Sequence, residues 1–268
     1  MLPLFSIGPL SIRLPELFIL FGFWIGLEQA RKYAPKQRLN PNDLFNLVMV
    51  SLIAGVAGAR LSYAFTHFSA FSGHPLSIFS ISLDMLDFSG GLLFAGLAAL
   101  IYGKILGMGF WPVLDALTVG LAVFAVALGL SHFSSGDAFG APTSLPWGIE
   151  LWGARRHPTQ IYETLLAWGV ALAVWPRAND LVARFFHSAP GSRFWLFLAG
   201  SAAARLVVEG FRGDSPLLLE RIRQPQVAAW IILAIALWQL ARRLPQPPPK
   251  PKPIPPENLP HASPFINE

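Results

Sequence analysis

The sequence lacks cysteine altogether, although the chain has 268 residues. Without cysteine the protein can form no disulfide bond, and it has no thiolate nucleophile and no cysteine-ligated metal site of its own. Charged residues are also few, at 13% of the chain against about 25% in soluble domains. Hydrophobic residues make up 53%, and the 9 Trp and 21 Phe suit membrane interfaces and lipid contact. The composition therefore predicts an integral membrane protein.

The net charge of +5 does not indicate a nucleic-acid partner. The basic residues are spread through short loops and form no dense patch of the kind that binds a phosphate backbone. The first 14 residues also lack a basic n-region, and no small-residue cleavage site follows the next apolar run. We therefore expect neither nucleic-acid binding nor a removable signal peptide.

Seven apolar segments predict an all-α, polytopic membrane protein. The segments suited to membrane helices are residues 15–30, 44–65, 88–106, 113–133, 160–175, 194–209 and 226–241. They divide the chain into a membrane domain, residues 1–243, and a tail, residues 244–268, in which proline recurs. Because such a tail cannot form a helix or a core, we expect an extended or disordered cytoplasmic segment.

The loop charges predict how these helices cross the membrane. With seven crossings, twelve Arg and Lys residues fall on one side, in or beside the loops that follow spans 1, 3, 5 and 7. The opposite side carries six arginines and no lysine. Since basic residues concentrate in cytoplasmic loops, we expect the N-terminus outside and the C-terminus in the cytoplasm. Arginine without lysine on the outer side also favours bidentate contacts with phosphate.

A charged face in the sixth span is the first candidate site. Arg205, Glu209 and Arg212 are spaced i, i+4 and i+7, which places them on one face of a continuous helix. Charge at membrane depth is costly and usually faces a water-filled cavity or a charged partner. Two interpretations stay open: the group binds an anionic ligand, or it is a self-neutralising cluster that fixes helix packing.

The second candidate is the long loop between the fourth and fifth spans, which ends in Arg156-His-Pro-Thr-Gln-Ile-Tyr162-Glu163. Basic, aromatic and amide groups come just before a helix, whose N-terminal N–H groups and dipole favour an anion. A lipid headgroup phosphate would fit such a site. The alternative is an ordinary interfacial loop whose arginines extend to lipid phosphates.

Together with three further segments, these motifs resemble the prolipoprotein diacylglyceryl transferase family. The matching segments, in order, are Gly58-Ala-Arg60-Leu, Ser89-Gly-Gly, Gly136-Asp-Ala-Phe-Gly140 with Leu145-Pro-Trp147, Arg156-His-Pro-Thr-Gln-Ile-Tyr-Glu163 and Arg205-Leu-Val-Val-Glu209-Gly-Phe-Arg212. The last two segments are specific to the family, and the resemblance extends over most of residues 8–240.

The resemblance implies an enzyme of the bacterial inner membrane. The family transfers the diacylglyceryl group of phosphatidylglycerol to the lipobox cysteine thiol of a secreted preprotein, and glycerol-1-phosphate leaves. No metal or organic cofactor is expected. By the same resemblance, Arg205 is an essential cationic group that Glu209 orients, and Gly140 matches a glycine that the family needs. The residues expected to bind the phospholipid are Arg205, Arg212, Arg156, Arg60, Gly140 and Tyr162.

The chain departs from the family at four functional positions. Ala95 stands where the family has a histidine that is proposed as base, and Pro15 replaces a tyrosine. Gly129 replaces a second essential arginine, and His132 replaces an asparagine. Because an imidazole titrates near pH ~6.5, we expect His132 to serve as a substitute base. The alternative is an interfacial histidine that bonds to the neighbouring serines 131, 134 or 135.

Three functions therefore stay open. The first is a working transferase in which Arg156 or Arg60 replaces the lost arginine. The second is a non-catalytic relative that binds phospholipid or an envelope partner. The third is a transporter or channel, which only the charges inside the spans support.

Overall fold

The computed structural model of the protein describes residues 5–7, 10–71, 85–176, 181–186, 189–218 and 222–244. Almost all of the predicted tail, from residue 245 onward, lies outside these ranges. The described chain is mostly helical, and seven of its helices have 16 residues or more. They are α1 (Leu14–Tyr33), α2 (Pro41–Thr66), α4 (Phe88–Ile105), α5 (Phe110–Ser135), α6 (Thr159–Val174), α8 (Ser192–Glu209) and α9 (Gln224–Ala241). Shorter helices are α3 (Phe68–Phe71), α7 (Leu181–Phe186) and a 3₁₀ helix over Ala34–Gln37.

Each predicted apolar segment is a helix whose ends lie within three residues of the prediction. Four of them, α2, α4, α5 and α9, are long and apolar enough to cross a membrane. Helix α6 has 16 residues and spans about 24 Å at 1.5 Å per residue, less than the ~30 Å hydrocarbon core. Helices α1 and α8 carry three or more charged residues each. A multi-helix membrane protein is therefore the described fold, and the number of crossings stays a prediction.

Side chains at the helix ends explain where the helices begin and stop. Asn40 accepts a hydrogen bond from the backbone N–H of Asn42 (2.9 Å), and Pro41 opens α2. Asp87 caps α4 through the N–H groups of Ser89 and Gly90. Hydrogen bonds, foremost from the Ser62 hydroxyl, lower the pKa of the Asp87 carboxyl to about 2, so this cap is ionised at neutral pH. Helix α5 ends at Gly136, whose φ of 81° suits glycine.

The helices pack in a row that positions the later site. Helix α1 packs on α5, α5 on α6, α6 on α8 and α8 on α9, whereas α2 and α4 pair with each other and meet the others mainly at α1. Small residues allow the closest approach: a Cβ atom at Gly26 of α1 would lie 2.6 Å from the carbonyl oxygen of Gly120 in α5. At one end of α8, Asp115 of α5 accepts hydrogen bonds from the N–H groups of Gly191 (2.6 Å) and Phe194 (3.0 Å). Helix α8 is thereby tied to α5 as well as to α6.

Among the described residues, three short antiparallel strand pairs qualify the all-α prediction. They join β1 (Phe5–Ile7) to β2 (Leu10–Ile12), β3 (Ile149–Leu151) to β4 (Ala154–Arg156), and β5 (Leu217–Leu218) to β6 (Ile222–Arg223). Strands of two or three residues carry too little hydrophobic alternation to be recognised in the sequence. The β3–β4 hairpin matters for function, because it carries Arg156.

Candidate active site

The loop between α5 and α6 folds back on the end of α8 and forms one wall of the site. Gly140 pairs with Arg212 in an isolated β-bridge, and Ala141 N–H donates to the carbonyl oxygen of Phe211 (2.8 Å). On its other side the same strand-like segment meets His157, whose N–H donates to Ala141 (3.1 Å). A Cβ atom at position 140 would lie 2.3 Å from the carbonyl oxygen of His157. Gly140 is therefore required by close backbone approach, and it lies between two predicted site segments.

Glu209 is the centre of the charged cluster and is fully buried. Its Oε1 lies 2.7 Å from Arg205 Nη2 and 3.8 Å from Arg212 Nε, and its Oε2 accepts a short hydrogen bond from the Ser215 hydroxyl. Arg212 also forms a two-pronged ion pair with Asp214, at 2.9 and 3.0 Å. Buried carboxylates need such partners, because an unpaired buried charge is strongly destabilising. The predicted association of Arg205, Glu209 and Arg212 is present.

The predicted single helical face is wrong for Arg212. Helix α8 ends at Glu209, so only Arg205 and Glu209 share the i, i+4 relation within it. Arg212 reaches Glu209 from the turn that follows, through Gly210 and Phe211. A carboxylate at a helix C-terminus is unfavourable beside the helix dipole. The two arginines offset that effect, and the loop after α8 is held against the helix end.

His132 contacts a carboxylate and not the neighbouring serines. Its Nδ1 lies 2.9 Å from Oε2 of Glu163, in the first turns of α6. Ser134 donates to a backbone carbonyl at Ser131, and Ser135 donates to the backbone carbonyl of His132 itself. The alternative in which serine hydroxyls hold the ring is therefore not what the structure contains. The His132 side chain is about a quarter exposed, at 26%.

Glu163 links this histidine to the arginine cluster. Its second oxygen, Oε1, lies 3.9 Å from Nη1 of Arg205, and its side chain is 18% exposed. His132, Glu163, Arg205 and Glu209 thus form a continuous chain of contacts across α5, α6 and α8. Glu163 was not among the residues predicted for the site. Its place at the end of the Arg156–Glu163 segment was the available signal.

Arg156 and Tyr162 lie beside this chain in different ways. Arg156 donates from Nε to Leu151 (3.0 Å) and from Nη1 to Gly140 (3.3 Å), and its guanidinium stacks over Phe139. In the part of the chain that the structure describes, no carboxylate pairs with it. The Tyr162 hydroxyl accepts a hydrogen bond from Trp147 (2.9 Å), and the ring packs against His157 and Phe211. Arg156 and Arg212 therefore both contact Gly140, whereas Tyr162 belongs to an aromatic cluster with His157 and Phe211.

Arg60 lies in the α2–α4 pair. It is 9% exposed, donates to the backbone carbonyl of Met85 (3.0 Å) and stacks over Phe71. These contacts hold the segment before α4 against α2. They do not bring Arg60 to Arg205, so its predicted contact with phospholipid stays a prediction.

Two of the four positions expected to depart from the family, Gly129 and Ala95, are helix-packing sites. A Cβ atom at Gly129 would lie 2.4 Å from the Thr164 hydroxyl and 3.0 Å from the Thr164 Cα, because α5 and α6 touch there. Ala95 faces Gly55 of α2, and Pro15 stands in the first turn of α1. No arginine fits at position 129 without separating two helices.

Two further features bear on ligands. Among the residues whose positions are described, no group of three His, Asp or Glu side chains could hold a metal ion. An apolar cavity of about 480 Å³ lies between α1, α5 and α6, with Phe21, Gly22, Leu130 and Trp168 in its wall. Leu130 and His132 differ by roughly 200° around α5, so the cavity and the charged chain lie on different faces of that helix.

Comparison with known proteins finds relatives along nearly the whole chain. The family described as Prolipoprotein diacylglyceryl transferase matches residues 3–242. The phosphatidylglycerol–prolipoprotein diacylglyceryl transferase of Solidesulfovibrio magneticus is 32% identical, over 90% of this chain and 93% of its own length. Proteins of the same name from Nostoc sp. and Gloeobacter violaceus are 30% and 31% identical. The matches cover 91% and 89% of this chain and 91% and 92% of those proteins.

Proposed function

We propose that this protein transfers a diacylglyceryl group from phosphatidylglycerol to prolipoproteins, because the chain belongs to the prolipoprotein diacylglyceryl transferase family. The observation that carries the proposal is the chain of contacts from His132 through Glu163 to Arg205. It brings a titratable base and a partly exposed guanidinium together where α5, α6 and α8 pack against one another. The non-catalytic and transporter alternatives have no comparable observation in their favour.

The reaction requires one nucleophile, one leaving group and one proton transfer. The cysteine sulfur attacks the glycerol carbon of the diacylglyceryl group, so that a C–S bond forms and the bond from that carbon to a phosphate oxygen breaks. The bonding electrons leave with glycerol-1-phosphate. The thiol proton passes to His132 Nε2 and from there to the departing phosphate or to water. A base and a cationic anion-binding group are the two protein contributions that this chemistry needs.

Arg205 is the phosphate ligand in this proposal. Its side chain is 35% exposed, against 11% for Arg212, and it lies between two carboxylates that orient the guanidinium. Such a fork can bind two phosphate oxygens at once. Arg212 and Gly140 hold the loop between α5 and α6 against the end of α8. Arg156, which has no carboxylate partner among the described residues, is the second cation that binds the phosphate. Tyr162 and Arg60 complete the predicted lipid-binding set, although their described contacts are to protein groups.

The membrane setting belongs to the same proposal. In this proposal helices α1, α6 and α8 cross the membrane together with the four more apolar helices. For α6 and α8, the pairing of Glu163 and Glu209 with Arg205 supports this. The N-terminus and the C-terminal end of α5, which carries His132, face outward from the inner membrane. Phosphatidylglycerol enters from the membrane lipid, and the lipobox segment of the preprotein presents its cysteine at the same end.

The test uses purified full-length protein in vesicles that contain phosphatidylglycerol, together with a lipobox peptide. Wild-type protein should form the thioether, and Arg205→Ala should lower turnover by about 10²- to 10³-fold, as loss of one anion-binding donor does elsewhere. Arg205→Lys should not restore turnover, because a point charge cannot form the bidentate contact. Arg242→Ala, an exposed arginine after α9, is the matched control. Wild-type protein that binds the lipid but makes no thioether would favour the non-catalytic alternative.

A further inference from the structure

The contact between His132 and Glu163 leaves one ring nitrogen available. Nδ1 faces the carboxylate at 2.9 Å, and in the described part of the protein Nε2 makes no hydrogen bond. A carboxylate can only accept a hydrogen bond, so the neutral ring carries its proton on Nδ1. The lone pair is then on Nε2. A carboxylate that holds one imidazole nitrogen fixes both the tautomer and the orientation of the ring.

The packing of α5 against α6 produces this contact. Gly129 and Thr164 touch, and each is close in sequence to one member of the pair: His132 follows Gly129 by three residues, and Glu163 precedes Thr164. Residues three apart lie on neighbouring positions of a helix surface. A side chain at position 129 would push the helices apart and lengthen the distance from His132 to Glu163. The absence of a side chain at position 129 and the contact of His132 with Glu163 are thus parts of one local arrangement.

Glu163 also contacts Arg205, at 3.9 Å through its other oxygen. The carboxylate therefore lies between the candidate base and the candidate phosphate ligand. Three arginines, Arg156, Arg205 and Arg212, are present in this region together with three carboxylates, Glu163, Glu209 and Asp214. Its contact with His132, at 2.9 Å, is the closer of the two, and Arg205 has a closer partner in Glu209, at 2.7 Å.

We propose that Glu163 is a positioning residue, which holds His132 with Nδ1 protonated and Nε2 free to take the proton from the thiol. The inference rests on the proposed function and adds the group that makes a substituted histidine usable. In the step itself, Nε2 accepts the thiol proton as sulfur attacks carbon, and Glu163 stabilises the imidazolium without becoming protonated. The proton is then released to the leaving phosphate or to water, which returns the ring to its starting tautomer.

The kinetic test compares Glu163→Gln, Glu163→Asp, His132→Ala and the double variant Glu163→Gln with His132→Ala. Glu163→Gln should lower kcat by about 10- to 100-fold and change the KM for phosphatidylglycerol less, because Arg205 keeps its closer partner Glu209, at 2.7 Å, whereas His132 loses the carboxylate that orients it. Glu163→Asp should recover part of kcat. The double variant should lose no more than His132→Ala alone, since both changes remove one function. Glu150→Gln, an exposed carboxylate of β3, is the control.

A second measurement does not depend on turnover. Nitrogen-15 spectra of protein labelled at histidine, with the His132 signals assigned by their absence in His132→Ala, should show protonated Nδ1 in wild type and loss of that preference in Glu163→Gln. Unchanged spectra, full kcat in Glu163→Gln, or additive losses in the double variant would each overturn the inference. Wild-type protein that makes no thioether would instead refute the proposed function, and the spectra would still decide whether Glu163 fixes the ring.

Discussion

Gly129 is one of the positions at which the sequence is expected to depart from the family. The resemblance implies an arginine there, and in this structure the space is occupied by Thr164 of the neighbouring helix. Packed interiors respond to added atoms by moving backbone or forcing side chains from preferred rotamers. The position therefore contributes by having no side chain, and the cation that the family places there has to come from another part of the chain.

Restoring the family residue should accordingly harm the protein. Gly129→Ala should destabilise it by about 1–3 kcal/mol despite the higher helix propensity of alanine, because its Cβ would overlap Thr164. Gly129→Arg should lower thioether formation further. Gly169→Ala in α6 is the control, since nothing lies within 4 Å of the added atom, and it should be neutral or stabilising. Thermal unfolding in detergent measures the stability of the two alanine variants. Higher activity in Gly129→Arg would contradict this explanation.

At the residue scale the sequence predicted contacts within one helix but not contacts between helices, and this difference has a physical cause. The i, i+4 spacing predicted the ion pair of Arg205 with Glu209, because helix geometry alone sets it. The contact between His132 and Glu163 joins residues 31 positions apart, and it depends on how two helices slide and rotate against each other. Sequence spacing carries no such information, so the role of Glu163 emerged only from the structure.

Helix α8 and the loop that follows it form one element through Glu209. The helix stops before Arg212, and the buried carboxylate then gathers Arg205, Arg212 and Ser215 around the helix end. The predicted apolar segment also ended at residue 209, but the shared face predicted from the i, i+7 spacing required the helix to continue to Arg212. The predicted association is nevertheless present, because the turn after α8 brings Arg212 back toward Glu209.

Removal of charge from Glu209 should therefore loosen this element. Glu209→Gln should destabilise the protein by about 1–3 kcal/mol, because it weakens contacts to two arginines in a fully buried place. Asp214→Asn, which removes the other carboxylate that contacts Arg212, should have a smaller effect because Asp214 is 22% exposed. Thermal unfolding and protease sensitivity of the loop report the difference. Equal stability of Glu209→Gln and wild type would show that the cluster is solvated and incidental.

At the scale of the whole molecule, hydrophobic runs predicted the seven long helices well, because long apolar segments have few other structures available to them. They could not predict the pairing of α2 with α4 or the three hairpins. Pairing depends on small residues at helix contacts, such as Gly55 against Ala95, and the hairpin strands are too short for a periodic signal.

The orientation in the membrane is the prediction of this scale. Reporter fusions should be cytoplasmic after Lys36, Lys104, Arg184 and Arg243, and extracytoplasmic after Gly73 and Ser144. The reason is the excess of Arg and Lys on one side of a seven-span arrangement. Paired fusions to alkaline phosphatase and a fluorescent protein measure the two sides. An extracytoplasmic signal after Arg243 would exclude an odd number of crossings with the N-terminus outside.

The carboxylates around Arg205 also affect how tightly an anion binds to the protein and how fast it leaves. If Arg205 binds the phosphate as proposed, the incoming phosphate competes with Glu163 and Glu209 for the guanidinium that they already contact. Substrate and leaving group meet this competition equally, so both are held less tightly than by an unpaired arginine. Weak retention of glycerol-1-phosphate shortens the time before the next lipid enters, and release of product commonly limits turnover. The internal ion pairs thus favour release of the product by competing with it for Arg205.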